Sequence, residues 1–132
     1  MLDALGSSAV LEHTVTPADL ASHWRNEMPV LATPILLWLA ELVAMKAIEG
    51  LMPSSRITLG VAHDSRHLAP TLEGATVSVC ATLSSVKGHY LEFSVQASDG
   101  LEMIFSGTHT RAIVDRQAFM ARIAAKSPGV RA

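Results

Sequence analysis

The sequence predicts an α+β protein in which one long apolar helix lies against an antiparallel β-sheet. Three observations support this fold class. A run of residues at positions 28–45 contains Glu41 as its only charge, and the helix predicted from it has start and end signals on both sides. Beyond it, apolar residues recur at every second position, which is typical of strands that bury one face. Turn sequences separate these strands, so consecutive strands are expected to pair as antiparallel hairpins.

The composition limits both the organisation of the chain and the partners that it can bind. Its 132 residues are expected to form one domain spanning 1–132. Hydrophobic residues make up 49% of the chain and charged residues 17%, a balance that favours burial of some surface against a second copy. The net charge is −2 and the basic residues are scattered, so we expect no nucleic-acid-binding surface.

Two features of the sequence indicate where the protein resides. The single cysteine, Cys80, cannot form an internal disulfide and suits the reducing cytoplasm. The first residues lack the basic region of a signal peptide, so a cytoplasmic protein is expected. Cys80 alternates with polar residues and has no histidine at a catalytic spacing, and we interpret it as unreactive.

The chain is predicted to begin with a strand and a short helix. The strand covers residues 9–16, where apolar and polar residues alternate loosely. Thr16 followed by Pro17 is typical of a helix start, and the short helix is expected to run to Trp24. Residues 25–29 are a connector.

The long helix is predicted to span residues 33–51. Thr33 and Pro34 form a second helix-start signal, and Gly50 and Pro53 mark the end. The apolar run is nearly long enough to cross a membrane, but the proline and a mid-helix carboxylate argue against insertion. An apolar helix of this kind is more often buried on several sides within a domain, so no membrane association is expected.

Four strands and a final helix are predicted after the long helix. The clearest strand is 76–83, in which four apolar residues share one face: Val77, Val79, Ala81 and Leu83. The full set is a strand from Arg56 to His63 or beyond, a loop at 69–74, a strand at 76–83, a hairpin turn at 86–89, a strand at 91–97, a turn at 99–100, a strand at 102–114 and a helix at 116–125. The apolar face of this sheet needs a cover, and only helix 33–51 is large enough. A curved antiparallel sheet wrapped around one buried helix is the hotdog fold, which we therefore predict.

Three separated stretches carry a resemblance to a known family. They are ATPILLWLAE at 32–41, LGVAHDSRH at 59–67 and SGTHTRA at 106–112. Together they resemble the fluoroacetyl-CoA thioesterase family of hotdog proteins, over roughly residues 8 to 123. The resemblance implies hydrolysis of a short-chain acyl-CoA by a homodimer whose sheets join edge to edge. Because hydrolysis needs only water and CoA is itself a product, neither a cofactor nor a metal ion is expected.

The resemblance also implies a set of site residues. Thr33 at the start of the central helix, Glu41 eight residues on and His67 on the following strand match the catalytic set of the family. Thr33 would orient the thioester, Glu41 would activate water or attack directly, and His67 would manage protons. Gly60 and Arg111 match residues that line the site and contact the substrate.

The residue types leave alternatives open at Glu41 and Thr33. Glu41 lies among apolar neighbours, and burying an unpaired carboxylate is costly. It is therefore either a structural carboxylate that pairs with an arginine or points into a dimer seam, or a general base or nucleophile whose pKa the apolar surroundings raise. Thr33 suits an N-cap and also a helix end that stabilises an oxyanion. On an ideal helix these two residues differ by about 80° around the axis and lie about 12 Å apart along it, so they can flank one ligand.

The remaining polar candidates also have a structural alternative. His67 at a strand end is either a solvated surface group or a proton-transfer group. Arg111 is either an outward-facing strand arginine that pairs with an acid or a contact for an acyl or pantetheine oxygen. His63 and His67 have a spacing that suits a metal on a helix, but on a strand they lie about 13 Å apart, so no metal site is expected.

One departure from the family concerns the acyl group. The family enzyme has phenylalanines before its central helix that form a lid over the fluorinated acyl group, whereas residues 24–29 here contain none. A fluorinated substrate is therefore not implied. The alternatives to a thioesterase are a non-catalytic hotdog module that binds acyl-CoA and a hotdog dehydratase. The acyl group, the carrier (CoA or acyl carrier protein) and the choice between dimer and tetramer are left open.

Overall fold

The computed structural model describes residues 1–126. Its longer elements are β1 (Ser8–Thr14), α1 (Thr33–Ala47), β2 (Arg56–His67), β3 (Thr76–Lys87), β4 (Tyr90–Ser98), β5 (Met103–Asp115) and α2 (Arg116–Lys126). Short 3-10 helices lie at Leu2–Ala4, Pro17–Asp19 and Ala21–Trp24. Within residues 1–126, no helix is both long and apolar enough to cross a bilayer.

The strands form one five-stranded antiparallel sheet in the order β1-β3-β4-β5-β2. The alternation that predicted β3 and β4 is confirmed, because one face of each strand is buried while the other is not. These apolar faces pack on α1, whose most buried residues are Leu36, Leu39, Ala40, Val43 and Ala44. The sheet thus covers one central apolar helix, and the predicted hotdog fold is confirmed.

Two predicted helices differ from the observed elements. α1 ends at Ala47, about one turn earlier than predicted, because the next residues form tight turns and Gly50 takes a left-handed conformation with φ of 77°. The predicted helix up to Trp24 is instead two 3-10 helices. Leu20 separates them because its backbone is extended and forms a bridge with Leu31.

β2 is longer than its minimum predicted extent, and this positions the site. The strand continues to His67 and pairs with β5 along most of its length, with a register shift between Gly60 and Ala62. β2 therefore runs along the edge of the sheet beside α1 and ends near the residue at which α1 begins. Gly60, His63 and His67 all lie on this one edge strand.

Candidate active site

The first part of the site joins the start of α1 to the end of β2. Thr33 is the first residue of α1, and Ala32 occupies the N-cap position, so the alternative interpretation of Thr33 as an N-cap is wrong. The Thr33 hydroxyl is instead 2.8 Å from Nδ1 of His67. Within the described part of the chain, Nε2 of His67 is buried and has no hydrogen-bond partner. The imidazole is thus oriented by the threonine, with its second nitrogen unused.

The surroundings of His67 favour the neutral imidazole. Burial lowers the pKa of His67 below its ordinary value of 6.5, and the backbone of Ala69 offsets this only in part. A neutral imidazole can accept a proton through one nitrogen and donate one through the other. At neutral pH, His67 is therefore able to receive a proton from a water molecule.

The second part of the site surrounds Glu41. Its Oε2 lies 3.0 Å from Nε2 of His63, and its Oε1 lies 3.3 Å from Nη1 of Arg111. The carboxylate is thus paired with an arginine, as one of the two interpretations of the sequence held. However, 37% of the Glu41 side chain remains exposed, so pairing does not remove the carboxylate from solvent or from a bound substrate.

The pKa of Glu41 is lowered from its ordinary value, so the expectation that apolar neighbours raise it is wrong. Burial is the largest influence and does raise the pKa, but the hydrogen bond from His63 and the electrostatic influence of His109, Arg111 and His63 together outweigh it. The residues next to Glu41 in sequence project elsewhere from α1, whereas the groups that face it come from β2 and β5. Glu41 is consequently an ionised carboxylate at neutral pH.

Arg111 pairs with an acid, Glu41, as one interpretation held, but it is buried within the fold and does not face outward. Only 3% of the residue is exposed. Its Nε and Nη2 donate to the hydroxyl and the carbonyl of Thr58, each at 3.0 Å. Its Nη1 lies 3.1 Å from Nε2 of His109, whose Nδ1 donates to the carbonyl of Ala62 at 2.9 Å. This arrangement holds the guanidinium against Glu41 in a defined orientation.

Gly60 lies against the same carboxylate. A Cβ added at this position would be 2.7 Å from Oε1 of Glu41 and 3.2 Å from Cε1 of His109. A contact of 2.7 Å forces one of the two groups to move. Glycine at this position therefore permits the close approach of β2 to the carboxylate.

The structure brings the five predicted site residues into two groups on neighbouring elements. Thr33 and His67 form one group, and Glu41 with Gly60 and Arg111 forms the other. Both groups lie along α1 and β2, with Arg111 supplied by β5.

The sequence analysis missed His63 and His109 as neighbours of Glu41. The two histidines face each other across the β2–β5 pair, and their rings stack with centroids 4.1 Å apart and planes 13° apart. His63 was considered only as a metal ligand with His67, yet the two contact different residues, Glu41 and Thr33. The pair depends on the register of β2 against β5, and no local sequence signal identifies it.

The ring nitrogens of both histidines and the Glu41 carboxylate lie within 4.8 Å of one another, a spacing that could hold a metal ion. Arg111 already occupies Nε2 of His109 and one oxygen of Glu41. The guanidinium therefore provides the positive charge that this cluster needs. We interpret it as a hydrogen-bonded charge cluster.

Comparisons with known proteins identify relatives of this chain. A family model described as fluoroacetyl-CoA-specific thioesterase matches residues 15–117. The chain is 33% identical over 131 residues to the fluoroacetyl-CoA thioesterase of Streptantibioticus cattleyicolor, covering 94% of each chain. A solved structure of a variant of the fluoroacetyl-CoA-specific thioesterase FlK, in complex with fluoroacetate and CoA, matches with a TM-score of 0.80 and 33% identity over 87% of this chain and 98% of that one.

A more distant structure supports the fold alone. A hot-dog-like protein from Thermanaerovibrio acidaminovorans has a TM-score of 0.84 at 20% identity, covering 90% of this chain and 89% of its own. The family match spans most of the chain and includes all five predicted site residues. This chain belongs to the fluoroacetyl-CoA-specific thioesterase family.

Proposed function

We propose that this protein hydrolyses a short-chain acyl-CoA thioester to the free acid and CoA. The observation that carries the proposal is the contact between the Thr33 hydroxyl and Nδ1 of His67, 2.8 Å apart, on the helix that also holds the ionised Glu41. Family membership supports the same reaction, since the relatives are named for thioester hydrolysis.

In the proposed mechanism, Thr33, Glu41 and His67 act on the thioester. The positive end of the α1 dipole and the Thr33 hydroxyl face the thioester carbonyl and stabilise the charge that develops on its oxygen. Either Glu41 activates a water molecule, or its carboxylate attacks the carbonyl carbon and water then hydrolyses the resulting anhydride. In both routes the C–S bond breaks and sulfur leaves as a thiolate. In the first route Glu41 takes one proton of the attacking water. In both routes neutral His67 takes a proton from the water that is consumed and passes it to the thiolate, which gives the free acid and CoA.

Gly60 and Arg111 have supporting roles in this proposal. Arg111 already donates to Glu41, Thr58 and His109, so its main effect is on the Glu41 carboxylate. Gly60 leaves room for that carboxylate beside β2. We assign both residues to the substrate site through Glu41.

We propose that the active form is a cytoplasmic homodimer in which the two subunits pair through their β2 strands. β2 is an edge strand of twelve residues, and a long unpaired edge tends to associate with another strand. Val61 on this strand is 53% exposed. Because Gly60, His63 and His67 also lie on β2, association at this edge would place the site at the seam between two subunits.

The test is thiol release over a panel of acetyl-, propionyl-, butyryl- and fluoroacetyl-CoA, together with one acyl group on acyl carrier protein. Turnover of at least one CoA ester that is lost in Glu41→Gln supports the proposal. Tight binding of the whole panel without thiol release would instead identify a non-catalytic module. Hydration of an enoyl-CoA with the thioester left intact would identify a dehydratase.

A further inference from the structure

The two oxygens of Glu41 are held by different donors from different strands. Oε1 accepts from Arg111 of β5 at 3.3 Å, and Oε2 accepts from His63 of β2 at 3.0 Å. We propose that His63 is a positioning residue for thioester hydrolysis, because it fixes the orientation of the Glu41 carboxylate that Arg111 alone would leave free to rotate. This inference rests on the proposed function of Glu41.

The distances from Glu41 to its two donors show why Arg111 alone does not fix the orientation of the carboxylate. Nitrogen-to-oxygen distances in protein hydrogen bonds cluster near about 2.9–3.0 Å, so the 3.0 Å contact of His63 is well formed and the 3.3 Å contact of Arg111 is long. The terminal torsion of a glutamate has a broad energy profile and is not fixed by the chain itself. One donor on each oxygen fixes that torsion. Loss of His63 would therefore leave a carboxylate held at one oxygen only, by the longer contact.

His63 is itself held in place. Its ring stacks on His109 at 4.1 Å, and His109 is fixed between the Ala62 carbonyl and Arg111. Donation to Glu41 requires a proton on Nε2 of His63. Among the described residues Nδ1 of His63 is buried without a partner, and in this tautomer it carries only a lone pair, so no buried N–H is left unpaired.

His63 also affects the ionisation of Glu41. The ionisable groups that face Glu41 are His63 from β2 together with His109 and Arg111 from β5. The hydrogen bond from His63 is the largest of the influences that lower the pKa of Glu41. Removing this donor should raise that pKa, since the remaining burial favours the neutral acid.

Two substitutions separate the donor from the ring. His63→Phe keeps a flat ring that can stack on His109 but removes the N–H, whereas His63→Gln removes the ring but keeps an amide N–H near the position of Nε2. His89→Phe is the matched control, because His89 is exposed and its ring contacts Tyr90. We expect His63→Phe to lower kcat roughly 10- to 100-fold, the factor for one hydrogen bond to a charged group, with little change in KM. His63→Gln should recover most of the rate, and the control should match the parent.

A second measurement does not depend on turnover. The pKa of Glu41 is read by NMR titration of 13C-labelled glutamate carboxyls, with Glu41→Gln used to assign the signal. A higher pKa in His63→Phe that returns toward the parent in His63→Gln supports the proposal. An unchanged pKa, or a His63→Phe variant with the parent kcat, would overturn it. If the parent protein hydrolyses no thioester, the proposed function fails, while the titration still decides whether His63 holds the carboxylate.

Discussion

The Thr33 hydroxyl and Nδ1 of His67 lie 2.8 Å apart, although the two residues are separated by 34 positions in the chain. One is the first residue of α1 and the other is the last residue of β2. The contact forms because β2 leads back from the far end of α1 to the level of its start. The relative placement of helix and edge strand therefore sets the distance between the hydroxyl and the imidazole that it contacts.

Replacing Thr33 tests the role of that hydroxyl. Thr33→Val keeps the shape of the side chain and should leave the fold intact, because Thr33 is exposed and does not cap α1. We expect kcat to fall roughly 100-fold, as for loss of one oxyanion-stabilising donor, while Thr33→Ser retains activity. The rates are measured by thiol release, with circular dichroism to check folding. Equal rates in the valine and serine variants would rule out a role for the hydroxyl.

Glu41→Gln tests whether a charged carboxylate is required. We expect kcat to fall by about two orders of magnitude or more, since neither a base nor a nucleophile remains. The fold should persist, because Arg111 keeps its bonds to Thr58 and His109. The melting temperature should drop only modestly, because a glutamine offers one acceptor where two donors were paired. Parent-like turnover in Glu41→Gln would show that the carboxylate is structural.

The fold could be predicted from the sequence because its signals are local. Alternation along 76–83 and 91–97 identifies strands with one buried face, and the proline and glycine signals bracket the central helix. The predicted positions of the helix ends were less accurate. One predicted helix is divided at Leu20, where a bridge to Leu31 separates two 3-10 helices.

The environment of Glu41 could not be predicted in the same way. Its neighbours in sequence are apolar and imply a raised pKa, whereas its neighbours in space are His63 and Arg111. Those contacts depend on the register between β2 and β5, in which Gly60 faces Arg111 and His63 faces His109. Such pairings are non-local, and the register shift between Gly60 and Ala62 makes them harder to infer from alternation.

Gly60→Ala tests the close approach of β2 to Glu41. The added Cβ would lie 2.7 Å from Oε1, so the carboxylate must shift and kcat should fall at least tenfold with the protein still folded. A double-mutant cycle provides the control. If Gly60 acts through Glu41, Gly60→Ala should have almost no further effect in the Glu41→Gln background. Additive losses in the double variant would instead indicate a separate role for the glycine.

The proposed assembly gives a prediction about mass. Association at the β2 edge should make the protein a dimer at micromolar concentration, because the long edge is otherwise unpaired. Sedimentation velocity measures this directly. A stable monomer that retains full thioesterase activity would contradict a site shared between two subunits.

The last prediction concerns pH and His67. If neutral His67 is the active form, kcat/KM should be lost as the pH falls through the pKa of His67, which burial places below 6.5. Activity should therefore be level near pH 7 and decline only in more acidic solution. The Glu41 carboxyl adds a second loss at still lower pH, because its pKa lies below its ordinary value of 4.5. His67→Asn should remove the upper of these two steps and leave slow residual turnover supported by Glu41. A profile that is unchanged in His67→Asn would show that the histidine does not carry the proton, and the chemistry would then rest on Glu41 and Thr33.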